Sequence, residues 1–164
     1  GWPAFDDAAL QSSLEEWLGP MLGGARGRRD LDRVDLTGAL RVRLGHPWLG
    51  LLDRVAPGRV TLGSGREVVV DYGREVGPTI RARAQELYGT TVHPTVDEGR
   101  EPVTVEVLSP AGRPVQVTAD LPGFWAGSWA EVRKEMAGRY PKHDWPTDPE
   151  SAAPRPQRPP RRRR

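Results

Sequence analysis

The sequence contains no cysteine and only two lysines, Lys134 and Lys142. The lack of cysteine excludes disulfide bonds and thiolate metal sites. A P-loop requires the pattern G-x-x-x-x-G-K-[ST], because backbone amides and the lysine must converge on the phosphates. Lys134 follows Arg133 and Lys142 follows Pro141, so neither lysine fits this pattern. The chain therefore has no nucleotide-hydrolysing P-loop motor of its own.

Long apolar runs are also missing. No run approaches the ~20 residues of a membrane-spanning helix, and the acidic N-terminus lacks the basic start and apolar core of a signal peptide. These absences favour a cytoplasmic protein without a membrane span, and the missing initiator methionine favours a fragment. The histidines His46, His93 and His143 are too far apart for helical or zinc-finger spacing. We therefore expect neither a metal nor another cofactor within this chain.

Basic charge is concentrated at one end of the sequence. Residues 1–150 carry 18 basic and 22 acidic side chains, a net charge of −4, whereas residues 151–164 carry six arginines and no acid. The overall pI near 9.4 therefore says little about what the folded part binds. We predict that the Pro/Arg-rich residues 147–164 are disordered. Their arginines could bind polyanions weakly or serve only solubility.

Residues 1–56 are predicted to form a helical segment. Asp6 or Asp7 can cap the first helix, whose apolar residues are spaced along one face. A Gly-Pro pair interrupts that helix, and Gly23-Gly24 ends it. A second break is predicted at residues 45–47. The predicted helices cover residues 7–22, residues 31 or 36 to 44, and residues 48–55.

Residues 57–146 have the pattern of an α+β domain, with a hairpin, a helix, a second hairpin and a C-terminal helix. The strands could form an open layer or close into a small barrel of oligonucleotide-binding (OB) type. Asp120 caps the last helix, whose apolar stripe includes Trp125 and Trp129. The predicted bounds are residues 60–72, 79–88, 103–118 and 120–138.

Two loops invite a chemical interpretation. Gly63-Ser64-Gly65-Arg66 resembles part of a phosphate loop, but it joins two predicted strands, so a hairpin turn is the favoured interpretation. Ser109 has no histidine nearby, and its hydroxyl is predicted to stabilise a turn rather than to act as a nucleophile.

The most concentrated polar feature lies between Gly138 and Pro146. Two cations, one histidine and two aromatic residues fall within residues 139–145, a stretch too proline-rich for a helix. Aromatic residues interleaved with cations can stack on bases and hold phosphates. Alternatively, Tyr140 and Trp145 fasten the chain end to the domain while the charges face solvent. The residues alone favour the second interpretation.

A second candidate cluster comprises Arg81, Arg83 and Gln85 on the predicted helix 79–88. Arg81 and Gln85 are one helical turn apart and would share a face. They could contact a phosphate or pair with acids such as Asp71 or Asp97, and the sequence does not separate these options.

Longer strings in this sequence resemble a known family. Residues 78–146 resemble the C-terminal domain of HrpB, a family of bacterial ATP-dependent RNA helicases of the DEAH/RHA group, and residues 2–60 are more loosely similar to the segment upstream. The pieces that carry the resemblance are Arg83-Ala84-Gln85-Glu86-Leu87-Tyr88-Gly89, Pro94-Thr95, Gly99-Arg100-Glu101-Pro102, Leu108-Ser109-Pro110-Ala111-Gly112-Arg113-Pro114, Thr118-Ala119-Asp120-Leu121, Phe124-Trp125 and Val132-Arg133-Lys134-Glu135-Met136-Ala137-Gly138-Arg139-Tyr140-Pro141-Lys142-His143-Asp144-Trp145-Pro146.

The resemblance implies an accessory domain without catalytic residues of its own. ATP and Mg²⁺ would bind in motor domains that this chain lacks. Implied partners are RNA or another single-stranded nucleic acid, the helicase's own motor domains, and a further protein. Two roles remain open, namely nucleic-acid contact and structural docking. The candidate nucleic-acid-binding residues are Arg81, Arg83, Gln85, Arg100, Arg139, Tyr140, Lys142, His143 and Trp145.

Overall fold

The computed structural model describes residues 2–155. The chain divides into two compact units between Asp53 and Arg54, close to the predicted boundary after residue 56. None of the described helices is long and apolar enough to cross a membrane. The helices of the first unit are α1 Asp7–Ser12, α2 Leu14–Trp17, α3 Gly19–Leu22, α4 Arg28–Leu31 and α5 Leu36–Leu44, while α6 His46–Val55 runs across the boundary.

The first predicted helix is divided into three short ones. Asp6 caps α1 as predicted, since its carboxylate accepts a hydrogen bond of 3.0 Å from the Ala9 N–H. The hydroxyls of Ser12 and Ser13 both donate to the Ala9 carbonyl, and such local bonds compete with regular helical pairing. Pro20 in α3 has no N–H to donate. These local features separate the three short helices from one another.

The break after α5 comes from Gly45 rather than from residues 45–47 together. Gly45 has a φ of 82°, a left-handed conformation that glycine adopts without steric cost. His46 and Pro47 already belong to α6, because proline fits the first turn of a helix. The third helix therefore starts earlier than predicted.

The second unit is built on small sheets, which confirms the α+β class. Both predicted hairpins are present, and each is antiparallel. Within residues 2–155 the sheet orders are β1-β2, β3-β6-β7 and β4-β5, so the strands form separate open sheets instead of a closed barrel. The strands are β1 Arg59–Thr61, β2 Glu67–Val69, β3 Thr79–Arg83, β4 Thr95–Val96, β5 Glu101–Pro102, β6 Thr104–Leu108 and β7 Pro114–Thr118.

The prediction of one helix over residues 79–88 is wrong. Thr79–Arg83 forms β3, which pairs in parallel with β6, and only the following α7 Ala84–Leu87 is helical. Ile80 and Ala82 are buried while Arg81 between them is exposed, which is the two-residue alternation of a strand. The tertiary pairing with β6 outweighs the helix propensity of the alanines.

The predicted C-terminal helix is two helices, α8 Leu121–Ala126 and α9 Trp129–Arg139. Asp120 caps α8 as predicted, accepting a 3.0 Å hydrogen bond from the Gly123 N–H. Gly127 has φ −104° and ψ −101°, which interrupts the helical backbone between Trp125 and Trp129. Both tryptophans are nevertheless buried, so the predicted apolar stripe faces the core.

Candidate site at the C-terminal strap

Residues 140–155, which we name the C-terminal strap, follow α9 without regular secondary structure. The strap opens with a tight turn at Tyr140. The Tyr140 carbonyl accepts hydrogen bonds from the His143 N–H at 3.1 Å and from the Trp145 indole Nε1 at 3.0 Å. The indole of Trp145 thereby closes the turn that its own segment makes.

Three successive strap carbonyls accept hydrogen bonds from side chains of the domain. The Asp144 carbonyl accepts from the Tyr88 hydroxyl at 3.0 Å and, at a longer 3.5 Å, from the Gln85 amide Nε2. Side chains of α9 donate to the next two carbonyls. The Arg133 guanidinium donates to the Trp145 carbonyl at 3.5 Å, and the Trp129 indole donates to the Pro146 carbonyl at 3.0 Å. These bonds fasten the strap by its backbone.

The Trp145 ring packs into an aromatic cluster in the core. Trp145 is only 9% exposed, and its ring centroid lies 6.1 Å from that of Trp129. Trp129 in turn meets the rings of Tyr88 at 5.9 Å and Trp125 at 5.2 Å, both edge-on. Edge-to-face aromatic pairs at these separations add to the stabilisation from burial. The indole of Trp145 therefore has no free face on which a base could stack.

Burial keeps the Tyr88 phenol protonated. Desolvation is the main cause that raises the pKa of Tyr88 well above its ordinary value of 10.0, and the nearby negative charge of Asp144 raises it further. Both effects disfavour the phenolate. The hydroxyl therefore remains a hydrogen-bond donor to the strap over the physiological pH range.

The strap continues to be held beyond Pro146, although the sequence predicts disorder from residue 147. The Gly89 N–H donates to the Pro149 carbonyl at 2.9 Å, and the Arg155 N–H donates to the Gln85 carbonyl at 2.8 Å. Pro149 is buried. A composition of Pro, Arg, Ala and Gln with no aliphatic pattern predicts disorder, but backbone groups of the domain supply the partners that side-chain patterning does not reveal. The remaining predicted tail, residues 156–164, lies outside the described residues.

The cations of the strap region face solvent. Arg139, the last residue of α9, forms an ion pair of 3.0 Å with Glu135 one turn earlier, and both side chains are about 60% exposed. Lys142 and His143 are exposed at the turn, and the His143 ring meets the edge of Tyr140 at 6.2 Å. The turn backbone is fixed, while the Lys142 ammonium and the His143 ring are exposed to solvent. The Arg139 guanidinium is exposed as well, although it is paired with Glu135.

The remaining candidate residues Arg81, Gln85 and Arg100 do not form a common binding surface with Arg139, Lys142 and His143. The prediction that Arg81 and Gln85 share a helical face is wrong, because Arg81 belongs to β3. Arg81 forms a 2.8 Å ion pair with Glu106 on the neighbouring β6. Gln85 is 7% exposed, and its side-chain amide donates to the Asp144 carbonyl of the strap. Arg100 pairs with Asp97 and Glu98 at 3.2 Å each.

The Gly63-Ser64-Gly65-Arg66 loop is confirmed as a hairpin turn. The Gly65 N–H donates to the Leu62 carbonyl at 2.8 Å, and Gly65 has a φ of 76°. Arg66 forms an ion pair with Glu86, whose side chain is 5% exposed. The other carboxylate oxygen of Glu86 accepts from the Arg83 N–H at 3.0 Å. The loop thus anchors the hairpin to α7, and its guanidinium is already engaged.

Ser109 and His93 have structural roles as well. The Ser109 hydroxyl accepts a 3.1 Å hydrogen bond from the Arg113 N–H within the β6–β7 turn. His93 accepts from the Leu121 N–H at 3.0 Å through Nδ1 and therefore donates through Nε2 to the Val103 carbonyl at 2.8 Å. Residues 2–155 contain no group of three or more metal-ligating side chains.

Comparison with known proteins identifies the family. The family model described as "ATP-dependent helicase C-terminal" (HrpB_C) matches residues 17–149. The chain belongs to the HrpB C-terminal family. This assignment confirms the resemblance that the motifs between Arg83 and Pro146 indicate.

Individual relatives agree with this assignment. The chain is 43% identical over 153 residues to the ATP-dependent RNA helicase HrpB of Escherichia coli (strain K12), which covers 93% of this chain but 19% of that protein. The crystal structure of the E. coli DExH-box NTPase HrpB superposes with a TM-score of 0.84, at 43% identity, over 94% of this chain and 19% of that one. A crystal structure of the E. coli DEAH/RHA helicase HrpB gives a TM-score of 0.69 at 40% identity, covering 88% and 18% of the two chains.

Sequence reasoning missed several residues that hold this HrpB C-terminal domain together. Tyr88 and Arg133 lie within the motifs that carry the family resemblance, but their spacing does not reveal that they bind strap carbonyls. The Arg66–Glu86 pair joins a hairpin to a helix, and no local pattern predicts it. A glutamate at the third position of α7 is a recognisable capping signal, so Glu86 could have been found as a cap.

Proposed function

We propose that this chain is the accessory, non-catalytic C-terminal domain of an ATP-dependent helicase and that its role is structural docking on the rest of the helicase. ATP and Mg²⁺ would bind in motor domains outside this chain. The observation that favours docking over nucleic-acid contact is that the domain itself holds the strap, which removes Trp145 and Gln85 from contact with a nucleic acid. Trp145 is buried, and the carbonyls of residues 144–146 bind side chains of the core.

The same observation weakens base recognition as the main role. Base stacking requires an aromatic face open to solvent, and Trp145 has none. Arg81 and Arg100 are paired with acids of the domain, and Gln85 is buried. The net charge of −4 over residues 1–150 also gives no general attraction to a polyanion.

Docking is tested by expressing this chain and the remainder of the helicase as separate polypeptides. We expect a one-to-one complex in sedimentation-velocity experiments, because an intramolecular interface should re-form between separate chains. Absence of a complex at micromolar concentrations would contradict the docking role. A shift that occurs only when RNA is added would instead show that nucleic acid bridges the two parts.

A second candidate function is phosphate contact by the polar side chains at the end of α9 and at the strap turn. Lys142 and the His143 ring are exposed on a backbone that the domain holds in place, and Arg139, which is exposed beside them, pairs with Glu135. Removal of one cation that binds a phosphate should lower the slope of log K against log salt by about 0.7 for single strands. This function needs no aromatic stacking.

The two functions are separated by the double variant Arg139→Ala/Lys142→Ala in the full-length helicase. Labelled single-stranded RNA is titrated at low and moderate salt, and Arg113→Ala serves as a control that removes an exposed cation from the β6–β7 turn. Docking alone predicts RNA affinities equal to the control. Weaker affinity with a reduced salt slope, seen only in the double variant, would establish phosphate contact.

A further inference from the structure

The first unit carries a groove that neither the strap nor the candidate cations use. Its volume is about 450 Å³, and apolar side chains predominate in its lining, among them Phe5, Leu40 and Leu44. The polar lining residues are Thr37 and Arg41 on α5. A groove of this composition suits an apolar side chain or a short apolar segment.

The first unit is poorly packed for its size. Among its described residues only Ala39 and Leu44 are buried hydrophobics, whereas Leu31 and Leu36 are each 52% exposed. Burial of so few apolar groups offsets little of the conformational entropy of about fifty ordered residues. Further apolar contacts from outside the described residues would therefore stabilise this unit.

The relatives indicate where such contacts can come from. The fold of this chain is retained over 94% of its length in the crystal structure of the E. coli DExH-box NTPase HrpB, where it corresponds to 19% of the chain. More than four fifths of that relative's polypeptide thus lies outside the matched part. An apolar segment on the same polypeptide would meet the groove at a high effective concentration.

We propose that the groove lined by Phe5, Thr37, Leu40, Arg41 and Leu44 is the docking surface for an apolar segment of the helicase polypeptide outside this chain. The proposal rests on the docking function proposed above and assigns it to a surface. Arg41 offers a charge at the groove, since its only ion pair among residues 2–155 is a 4.0 Å contact with Asp53 between exposed side chains. An acidic residue beside the apolar segment would complement it.

The lack of cysteine in this chain allows a direct test by thiol labelling. Thr37→Cys places a thiol in the groove, and Val42→Cys places one on the same helix outside it, where Val42 is 74% exposed. Both positions are exposed β-branched residues of α5, so the variants are matched. Labelling rates with a maleimide are measured peptide by peptide, in the isolated chain and in the full-length helicase.

We expect the thiol at position 37 to react at least about tenfold more slowly in the full-length helicase than in the isolated chain, because a docked segment must open before the reagent can enter. The thiol at position 42 should react at the same rate in both. Equal rates at position 37 in the two proteins would overturn the proposal, as would equal protection of both positions.

A second copy of the chain is the alternative occupant, and the same variants detect it. Protection of position 37 that appears in the isolated chain and grows with protein concentration would assign the groove to self-association and overturn the proposal. Failure of the groove proposal leaves the docking function testable. If the two separate polypeptides still form a complex, docking stands and uses another surface.

Discussion

The hydroxyl of Tyr88 donates a 3.0 Å hydrogen bond to the carbonyl of Asp144, which lies 56 residues further along the chain. This bond connects the residue that follows α7 to the fifth residue of the strap. Tyr88→Phe should remove it and lower the free energy of unfolding by about 1–2 kcal/mol, because the partly buried carbonyl keeps only the longer bond from Gln85.

Chemical denaturation of this variant has a matched control. Tyr72→Phe removes a hydroxyl that donates to the Pro57 carbonyl at 2.9 Å, but Tyr72 is 43% exposed. Water can replace that bond, so we expect a smaller loss than for Tyr88→Phe. Equal losses would show that the strap bond has no special importance for stability.

Alkaline pH should loosen the same contact. The pKa of Tyr88 is raised in the folded protein above its ordinary value of 10.0, so the unfolded chain loses the phenol proton first. Above about pH 10 the unfolded state binds fewer protons than the folded state, and stability falls as the pH rises. The contribution is fully present below that pH.

The alkaline prediction is checked by comparing unfolding free energies at about pH 9 and pH 11. The decrease should be smaller in Tyr88→Phe than in the unmodified chain, since phenylalanine cannot titrate. An identical decrease in both proteins would mean that Tyr88 ionises as readily folded as unfolded.

Gly89 meets the strap closely and has a φ of 76°, while Gly112 has a φ of 80° in an open turn. A Cβ at position 89 would lie 3.3 Å from the Ala152 carbonyl oxygen and 3.4 Å from Pro154 Cδ, whereas one at position 112 meets nothing within 4 Å. Replacement of either glycine by alanine should lower the free energy of unfolding by about 1 kcal/mol, because alanine is strained in the left-handed backbone conformation.

The difference in stability between the two glycine variants measures the effect of the contact with the strap. We expect Gly89→Ala to lose more stability in thermal denaturation than Gly112→Ala and to increase protease cleavage within residues 147–155. If the two variants have the same melting temperature and are cleaved at the same rate, the close approach of the strap to Gly89 does not contribute to stability.

The buried Glu86 carboxylate depends on Arg66, which is 43% exposed. Arg66→Ala should destabilise the domain by about 1–3 kcal/mol, because it leaves a buried charge with fewer partners. Glu86→Gln removes the charge and should reduce the cost of the arginine change. A double-mutant cycle by urea denaturation measures the coupling, and strictly additive losses would exclude a direct interaction.

Trp129 is 1% exposed and joins the aromatic cluster to the strap. Trp129→Ala should lower the free energy of unfolding by about 3–5 kcal/mol through loss of burial and creation of a cavity. Val117→Ala, at a position that is 55% exposed, is the control. A melting temperature for Trp129→Ala within error of that control would contradict the packing described for α9.

The sequence predicted features whose causes are local. The hairpins follow from turn residues such as Gly65 and Gly112, and the start of α8 follows from Asp120. Residues 79–83 were predicted wrongly, because Ile80 and Ala82 form a strand only through parallel pairing with β6, and that partner is about 25 residues away in sequence. The pattern of a short stretch of sequence carries no information about a pairing partner that lies so far away along the chain.

For the candidate site, the sequence by itself determined the absence of a P-loop and the motifs that place the chain in the HrpB C-terminal family. It could not divide the candidate residues into buried and exposed ones. Tertiary structure decided that Trp145 and Gln85 are enclosed while Lys142 and His143 face solvent. The physical reason is that Tyr88, Trp129 and Arg133 bind carbonyl groups of the strap. Every residue has such a carbonyl, so side-chain identity does not show which ones are used.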